Sequence, residues 1–224
     1  RGSGRLVGRK ALVTGGDSGI GRAAAIAFAR EGADVAIGFL PAEAPDALEV
    51  EKIIEQEGRK ALLLPGDIRR EDFCRELVNR AATELGGLDI LVNNAGVTHK
   101  NQSLMTVSEE DFDRIYAINV KSIYLTTLAA VPEMEKRGGG SIITTASTAG
   151  VRPRPGLTWY NGSKGAVILT SKSMAVELAK DNIRVNCINP VAGETPLLAT
   201  FMGEDTPEKR ALFRASIPMG RLST

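Results

Sequence analysis

The run Ala11 to Thr14 passes straight into TGGDSGIG (14–21) and from there into GRAAAIAFAREG (21–32). A short apolar run without polar alternation reads as a strand buried on both faces, and the segment after the glycines has helical periodicity. A strand that turns through glycines into a helix returns to its sheet by a crossover, so this one feature commits the chain to parallel pairing. The unit then repeats. Further strands are expected at 34–37, 61–64, 89–92, 141–145 and 183–188. Helices are expected at 46–57, 71–85, 108–137 with a break near Asn119, and 157–180. The fold class is therefore α/β, a doubly wound parallel sheet in three layers, α/β/α.

The chain has 224 residues, 43% hydrophobic and 25% charged, which suits one sizeable core, so 1–224 reads as a single domain. A net charge of +1 gives no electrostatic case for nucleic acid or a membrane surface, and 4% aromatics argues against base-stacking platforms. No stretch approaches the roughly 18 apolar residues of a membrane helix. RGSGRLVGRK lacks the apolar core of a secretory signal, and the chain starts at Arg1, so an N-terminal piece is expected to be missing. Two cysteines, Cys74 and Cys187, make no disulfide framework. These features together favour a cytoplasmic location.

In a doubly wound sheet, ligands sit beyond the carboxyl ends of the strands. The glycine turn after the first strand, Asn93-Asn94-Ala95-Gly96 after the fourth and Ser147 after the fifth therefore share one rim. Gly15 permits a tight turn, Gly19 lets backbone approach a pyrophosphate, and Gly21 lets the helix pack closely on the sheet. The helix start then offers free N–H groups to phosphate.

TWYNGSK (158–164) admits three readings: an Asn-Gly hairpin turn, a glycosylation acceptor, or a helix with Tyr160 and Lys164 on one face. Val167, Ser171, Met174, Ala175 and Leu178 continue a helical stripe, which favours the third. Gly162 inside that helix costs about 1 kcal/mol.

The spacing Gly-x3-Gly-x-Gly differs from the long-chain dinucleotide fingerprint. With Asp67, NNAG at 93–96, Asn119, Ser147 and Tyr160-x3-Lys164, the chain resembles the short-chain dehydrogenase/reductase family over almost its whole length. Within that family, GADVAIGFLPAE, GRKALLLPGDI and GGLDILVNNAG are similar to bacterial oxidoreductases of broad or unknown substrate, some described as general stress proteins. The resemblance implies a Rossmann-like fold and hydride transfer between a nicotinamide cofactor and a small carbonyl or alcohol, with no metal. It implies Tyr160 as acid/base, its phenol lowered by Lys164 and the oxidised nicotinamide. Ser147 would polarise the substrate oxygen, and Asn119 would break its helix and position a water that relays protons through Lys164. The cofactor set it implies is Gly15, Asp17, Ser18, Gly19, Ile20, Gly21, Phe39, Asp67, Ile68, Asn94, Ala95, Gly96, Tyr160, Lys164, Pro190 and Thr195. Asp67 would accept from the adenine amino group.

Cofactor choice stays open between NADP and NAD. Family alignment puts Phe39, not an acid, at the end of the second strand, which removes the feature selecting NAD and leans the balance to NADP. Arg22 is a candidate for a phosphate or for plain surface. His99, the only histidine, follows NNAG and reads as incidental or as a substrate contact. Where the family has Pro-Gly after the sixth strand, this chain has Pro190-Val191, and valine does not take positive φ. Residues 191–218 read as a lid of short helices. Family members continue with a further helix and a seventh strand, so the C-terminus reads as incomplete; the complete protein is expected to be a homodimer or homotetramer. Two other functions remain in view: a nucleotide-binding sensor or inactive fragment, and a 3-oxoacyl carrier-protein reductase.

Overall fold

A computed structural model describes residues 2–223. Six strands form one all-parallel sheet: β1 (Lys10–Thr14), β2 (Asp34–Phe39), β3 (Ala61–Pro65), β4 (Ile90–Asn93), β5 (Gly140–Thr145) and β6 (Ile183–Ile188). Their order is β3-β2-β1-β4-β5-β6, so the direction of winding reverses between β1 and β4. The glycine turn leaves the sheet at that switch point, where a crevice opens by topology alone.

The helices are α1 (Gly19–Arg30), α2 (Ala44–Gln56), α3 (Glu71–Leu85), α4 (Glu109–Tyr116), α5 (Ser122–Lys136), α6 (Thr158–Glu177), α7 (Leu197–Met202) and α8 (Pro207–Ala215). Alternate side chains of one strand face different layers, as a two-residue period demands. Ala11 and Val13 pack with Ala25, Ala29, Val50 and Ile54 of α1 and α2. Leu12 packs with Leu77, Ala81 and Met134 of α3 and α5, on the face that Met174 and Leu178 also cover. Both faces being buried explains the unbroken apolar runs. β6 is the exception. As the edge strand it buries Ile183 and Val185, while Arg184 and Asn186 are exposed, because only one of its faces is covered.

The break expected near Asn119 is a π-helical turn, Ala117–Lys121, between α4 and α5. Such single-turn bulges re-aim a side chain without ending the helix. The helix expected to reach residue 180 instead tightens into a 3₁₀ turn, Leu178–Asp181, and closes on Asn182 at φ 56°. Strand four starts one residue later than expected, at Ile90, although the Asp89 backbone still bonds to Lys10 and Ser141 on either side; its carboxylate turns onto the amino ends of the strands. There Asp89 accepts from Arg9 Nη1 at 3.1 Å, the Lys10 N–H at 2.9 Å and Arg137 Nη2 at 3.2 Å. Asp34 likewise accepts from the Lys60 N–H at 3.0 Å and Arg59 Nη2 at 2.6 Å, and pairs with Lys10. No helix of the described residues is long and apolar enough to cross a membrane.

Candidate active site

A cavity of about 590 Å³ lies over the carboxyl ends of β1, β4 and β5. Its wall begins with the glycine turn. Gly15 sits at φ 60° and Gly19 at φ 52°, conformations that side chains disfavour. A Cβ on Gly21 would lie 1.9 Å from the Gly15 carbonyl oxygen, so helix and turn can approach this closely only through glycine. Ser18 is the N-cap of α1 but makes no side-chain cap hydrogen bond, and no acid sits in the first turn. The helix start thus keeps open donors for an anion.

Thr14 and Asn94 tie this turn to β4. The Asn94 and Ala95 N–H groups donate to Thr14 Oγ1 at 3.0 and 3.1 Å, and Asn94 Nδ2 donates to the carbonyls of Thr14 and Gly15. Asp17, Ser18, Ile20, Phe39, Ile68, Ala95, Gly96, Pro190 and Thr195 all line the cavity, as do Gly15, Gly19 and Asn94. Asp67 lines it too, but its carboxylate is gripped by Arg69, with Nε at 2.8 Å and Nη2 at 2.6 Å from Oδ2. That pairing outweighs burial and holds Asp67 below the usual carboxylate range. Gly21 stands behind the wall rather than in it.

At the other end α6 presents Tyr160 and Lys164, both buried. Gly150 makes this possible. A Cβ there would fall 2.6 Å from the Lys164 carbonyl carbon, so the 3₁₀ turn after Ser147 lies flat on α6. Lys164 Nζ donates to the Thr145 carbonyl at 2.8 Å and lies 5.9 Å from the Tyr160 ring centre. Burial pulls its ammonium down to about 8. Burial also pushes the Tyr160 phenol above its ordinary value, opposed by the facing Ser147 hydroxyl. The expected lowering of this phenol is therefore not intrinsic to the chain, since the desolvation that buries the ring outweighs what Ser147 contributes. Ser147 Oγ accepts from the Ala149 N–H at 3.1 Å.

Asn119 lies behind the cavity. Its Oδ1 accepts from the Val97 N–H at 2.8 Å, and its Nδ2 donates to the Val97 carbonyl and to Ser163 Oγ. The amide pins the segment after NNAG, and both of its ends are committed to protein.

His99 is not on the cavity wall. It is 1% exposed, with Nδ1 2.8 Å from the Lys100 carbonyl. Asn161 is buried inside α6 and donates to the Arg154 carbonyl, so neither the turn nor the glycosylation reading holds. Val191 lines the cavity without positive φ, as its branched side chain requires. Arg22 pairs with Glu49 at 3.1 Å. Among the described residues, no three His, Cys, Asp or Glu side chains gather as a metal site.

Several wall residues escaped the sequence reading. Thr145 supplies the carbonyl under Lys164. Phe201 of α7 meets the Tyr160 ring edge-on at 5.6 Å and itself meets Phe213 at 5.8 Å. Glu43 lies beside Phe39 and Leu40. Only Glu43 had a local signal, a proline turn followed by an acid in LPAE.

Known proteins agree with this geometry. The family profile described as short chain dehydrogenase matches residues 9–205. The 4-formylbenzenesulfonate dehydrogenase TsaC1/TsaC2 of Comamonas testosteroni is 45% identical over 214 residues, covering 95% of this chain and 84% of that protein. General stress protein 39 of Bacillus subtilis is 43% identical, covering 99% of this chain and 74% of that protein. The solved 3-ketoacyl-(acyl-carrier-protein) reductase of Brucella melitensis, complexed with NADH, superposes with a TM-score of 0.89 at 43% identity, covering 97% of this chain and 86% of that one. The chain belongs to the short chain dehydrogenase family and is an oxidoreductase.

Proposed function

We propose that this chain interconverts a small carbonyl compound and its alcohol, with Tyr160 as the acid/base. The observation that carries this is the meeting of Ser147, Tyr160 and Lys164 on one wall of the cavity that the glycine turn also lines. The wall fits a nicotinamide dinucleotide. Open N–H donors at the start of α1 face a cradle that any side chain on Gly15 or Gly19 would strain, and the buried Asp17 Oδ1 is left without a partner. Ser18 to Ile20 would take the pyrophosphate, and Phe39, Asp67 and Ile68 the adenosine end. Asn94 to Gly96, Pro190 and Thr195 would take the nicotinamide half.

Bound there, the cofactor supplies or accepts the hydride. The protein handles the proton. Tyr160, a phenol whose ordinary value already lies above neutrality and which burial raises further, gives its proton to the carbonyl oxygen as that oxygen gains charge. Ser147 holds the same oxygen by a hydrogen bond. Lys164 remains largely cationic below about 8 and stabilises the phenolate that remains. Asn119 acts as a positioning residue: it fixes residues 97–98 and reaches Ser163, one position before Lys164, so the proton path assigned here runs through Tyr160 and Lys164.

Residues 191–218 act as the substrate-covering lid of a single catalytic unit. This draws on α7, which brings Phe201 against Tyr160. A homo-oligomer is supported by exposed apolar side chains at helical spacing on α5 and α6, among them Tyr124, Leu128, Leu169 and Val176. Light scattering at working concentration tests it.

The central test is Tyr160→Phe, assayed at 340 nm with a panel of aldehydes, ketones and alcohols. Turnover should fall by about 10²–10⁴ while reduced-cofactor binding persists. A variant with the parent rate sinks the assignment. If the parent chain binds cofactor tightly but turns over nothing on the panel, the sensor reading takes its place. The narrower reading, a 3-oxoacyl carrier-protein reductase, draws on the Brucella relative and on Arg154 over the Phe201 ring, with the Arg152 charge acting on Arg154. A carrier-bound 3-oxoacyl thioester should then outcompete a free ketone of equal length.

A further inference from the structure

We propose that Glu43 and Asp17 make this cavity select NAD over NADP, supplying the negative charge that the end of β2 lacks. The proposal rests on the reading of the cavity as a nicotinamide dinucleotide site. β2 ends on Phe39, and from its sequence alone the site leans the other way.

The folded chain returns a carboxylate to that strand end. After Phe39 the backbone turns through Pro41–Glu43 as a 3₁₀ helix. The Glu43 N–H donates to the Leu40 carbonyl at 2.8 Å, and the Leu40 N–H donates to Glu43 Oε2 at 3.1 Å. This reciprocal grip holds the Glu43 carboxylate against the residue that follows the strand, and Glu43, Phe39 and Leu40 all line the cavity. Its Oε1 takes no hydrogen bond among the described residues.

Asp17 stands in the same wall, from the glycine turn. It is 2% exposed, and its Oδ1 has no hydrogen-bond partner. A buried carboxylate oxygen without a donor destabilises the empty site, so a ligand that brings a hydroxyl there is favoured. The two acids sense each other: burial raises Glu43 above the ordinary glutamate range, the Leu40 N–H opposes this, and the Asp17 charge adds to the rise.

The two cofactors differ here in a single group. A ribose 2′-hydroxyl donates a hydrogen bond that either open carboxylate oxygen can accept. A 2′-phosphate carries about −1.5 to −2 charge at neutral pH and would face two carboxylates. The nearby cations are already engaged, Arg69 by Asp67 and Arg22 by Glu49. Discrimination thus comes from repulsion as well as attraction.

The test is titration of the chain with NADH and with NADPH, followed by reduced-nicotinamide fluorescence, which needs no knowledge of the substrate. NADH should bind at least about tenfold more tightly, equivalent to about 1.4 kcal/mol. Glu43→Gln keeps an acceptor for the Leu40 N–H, so the turn survives; it should tighten NADPH several-fold and weaken NADH, because the amide NH2 then faces the 2′-hydroxyl where a carboxylate oxygen stood. Asp17→Asn should shift the ratio in the same direction. NADPH binding as tight as NADH in the parent chain, or a ratio that neither substitution moves, overturns the selection while leaving the dinucleotide site intact. Binding of neither cofactor overturns the dinucleotide reading and the selection with it.

Discussion

The two ends of the sheet treat buried charge in opposite ways. At the amino ends, Asp34 and Asp89 are each held by cations and backbone N–H groups drawn from neighbouring strands and helix ends. At the carboxyl ends, the Asp17 Oδ1 and Thr145 Oγ1 atoms are buried with no partner, and Lys164 is an ammonium whose hydrogen bond goes to a carbonyl rather than to a carboxylate. The separation of roles follows from cost. An uncompensated buried polar atom destabilises the fold, and those that line the cavity are the ones a ligand can complete. The amino ends hold the sheet in register; the carboxyl ends keep stability in reserve for binding.

Lys164→Met should separate the two most strongly. Turnover should drop by about 10²–10⁴, while the urea midpoint holds or rises, because a desolvated charge is replaced by an apolar side chain. A large loss of stability would mean that Lys164 belongs with the structural charges.

Asp89→Ala should do the reverse. Stability should fall by about 1–3 kcal/mol, chiefly because the Lys10 N–H loses its acceptor while the half-exposed Arg9 and Arg137 return to water, with NADH affinity of the folded fraction unchanged. Chemical denaturation paired with a fluorescence titration checks both halves. Weakened binding in folded protein would dissolve the distinction between the two ends.

Proton linkage gives a smaller effect. Lys164 is depressed to about 8 in the folded chain, against 10.5 when free. The folded state therefore releases this proton first, and stability must rise with pH between about 8 and 10.5. From neutrality to pH 10 the gain is about 2 kcal/mol. Stability of the parent chain relative to Lys164→Met, followed across that window, should show this slope. A flat difference would mean that the ammonium is not desolvated.

Phe201→Ala is the mildest change. It removes the edge-on contact with Tyr160 and should cost about 1 kcal/mol or less in stability, while raising KM several-fold with kcat nearly kept. A collapse in kcat instead would make Phe201 a positioning residue for the tyrosine.

The residues that could be read from the chain share a trait: their roles follow from spacing along it. Gly15, Gly19 and Gly21 belong to one turn, and Tyr160 and Lys164 to one helical face, so local geometry suffices. The positions that could not be read depend on meetings between distant segments. Phe201 reaches Tyr160 from 41 positions away, and Thr145 places its carbonyl under Lys164 from the end of β5. His99 shows the converse, since its place after NNAG suggested the rim and its burial removed it.

Apolar runs and glycine spacing were enough to specify a parallel, doubly wound sheet with its chemistry on one rim, because period and turn chemistry are local properties of the backbone. The sign of the charge at the adenosine end was not local. It depends on Glu43 folding back on Leu40 and on Asp17 being buried beside the same wall, and burial is a property of the packed chain alone. The same holds for Lys164, whose ammonium is lowered only because β5, α6 and the turn after Ser147 close around it.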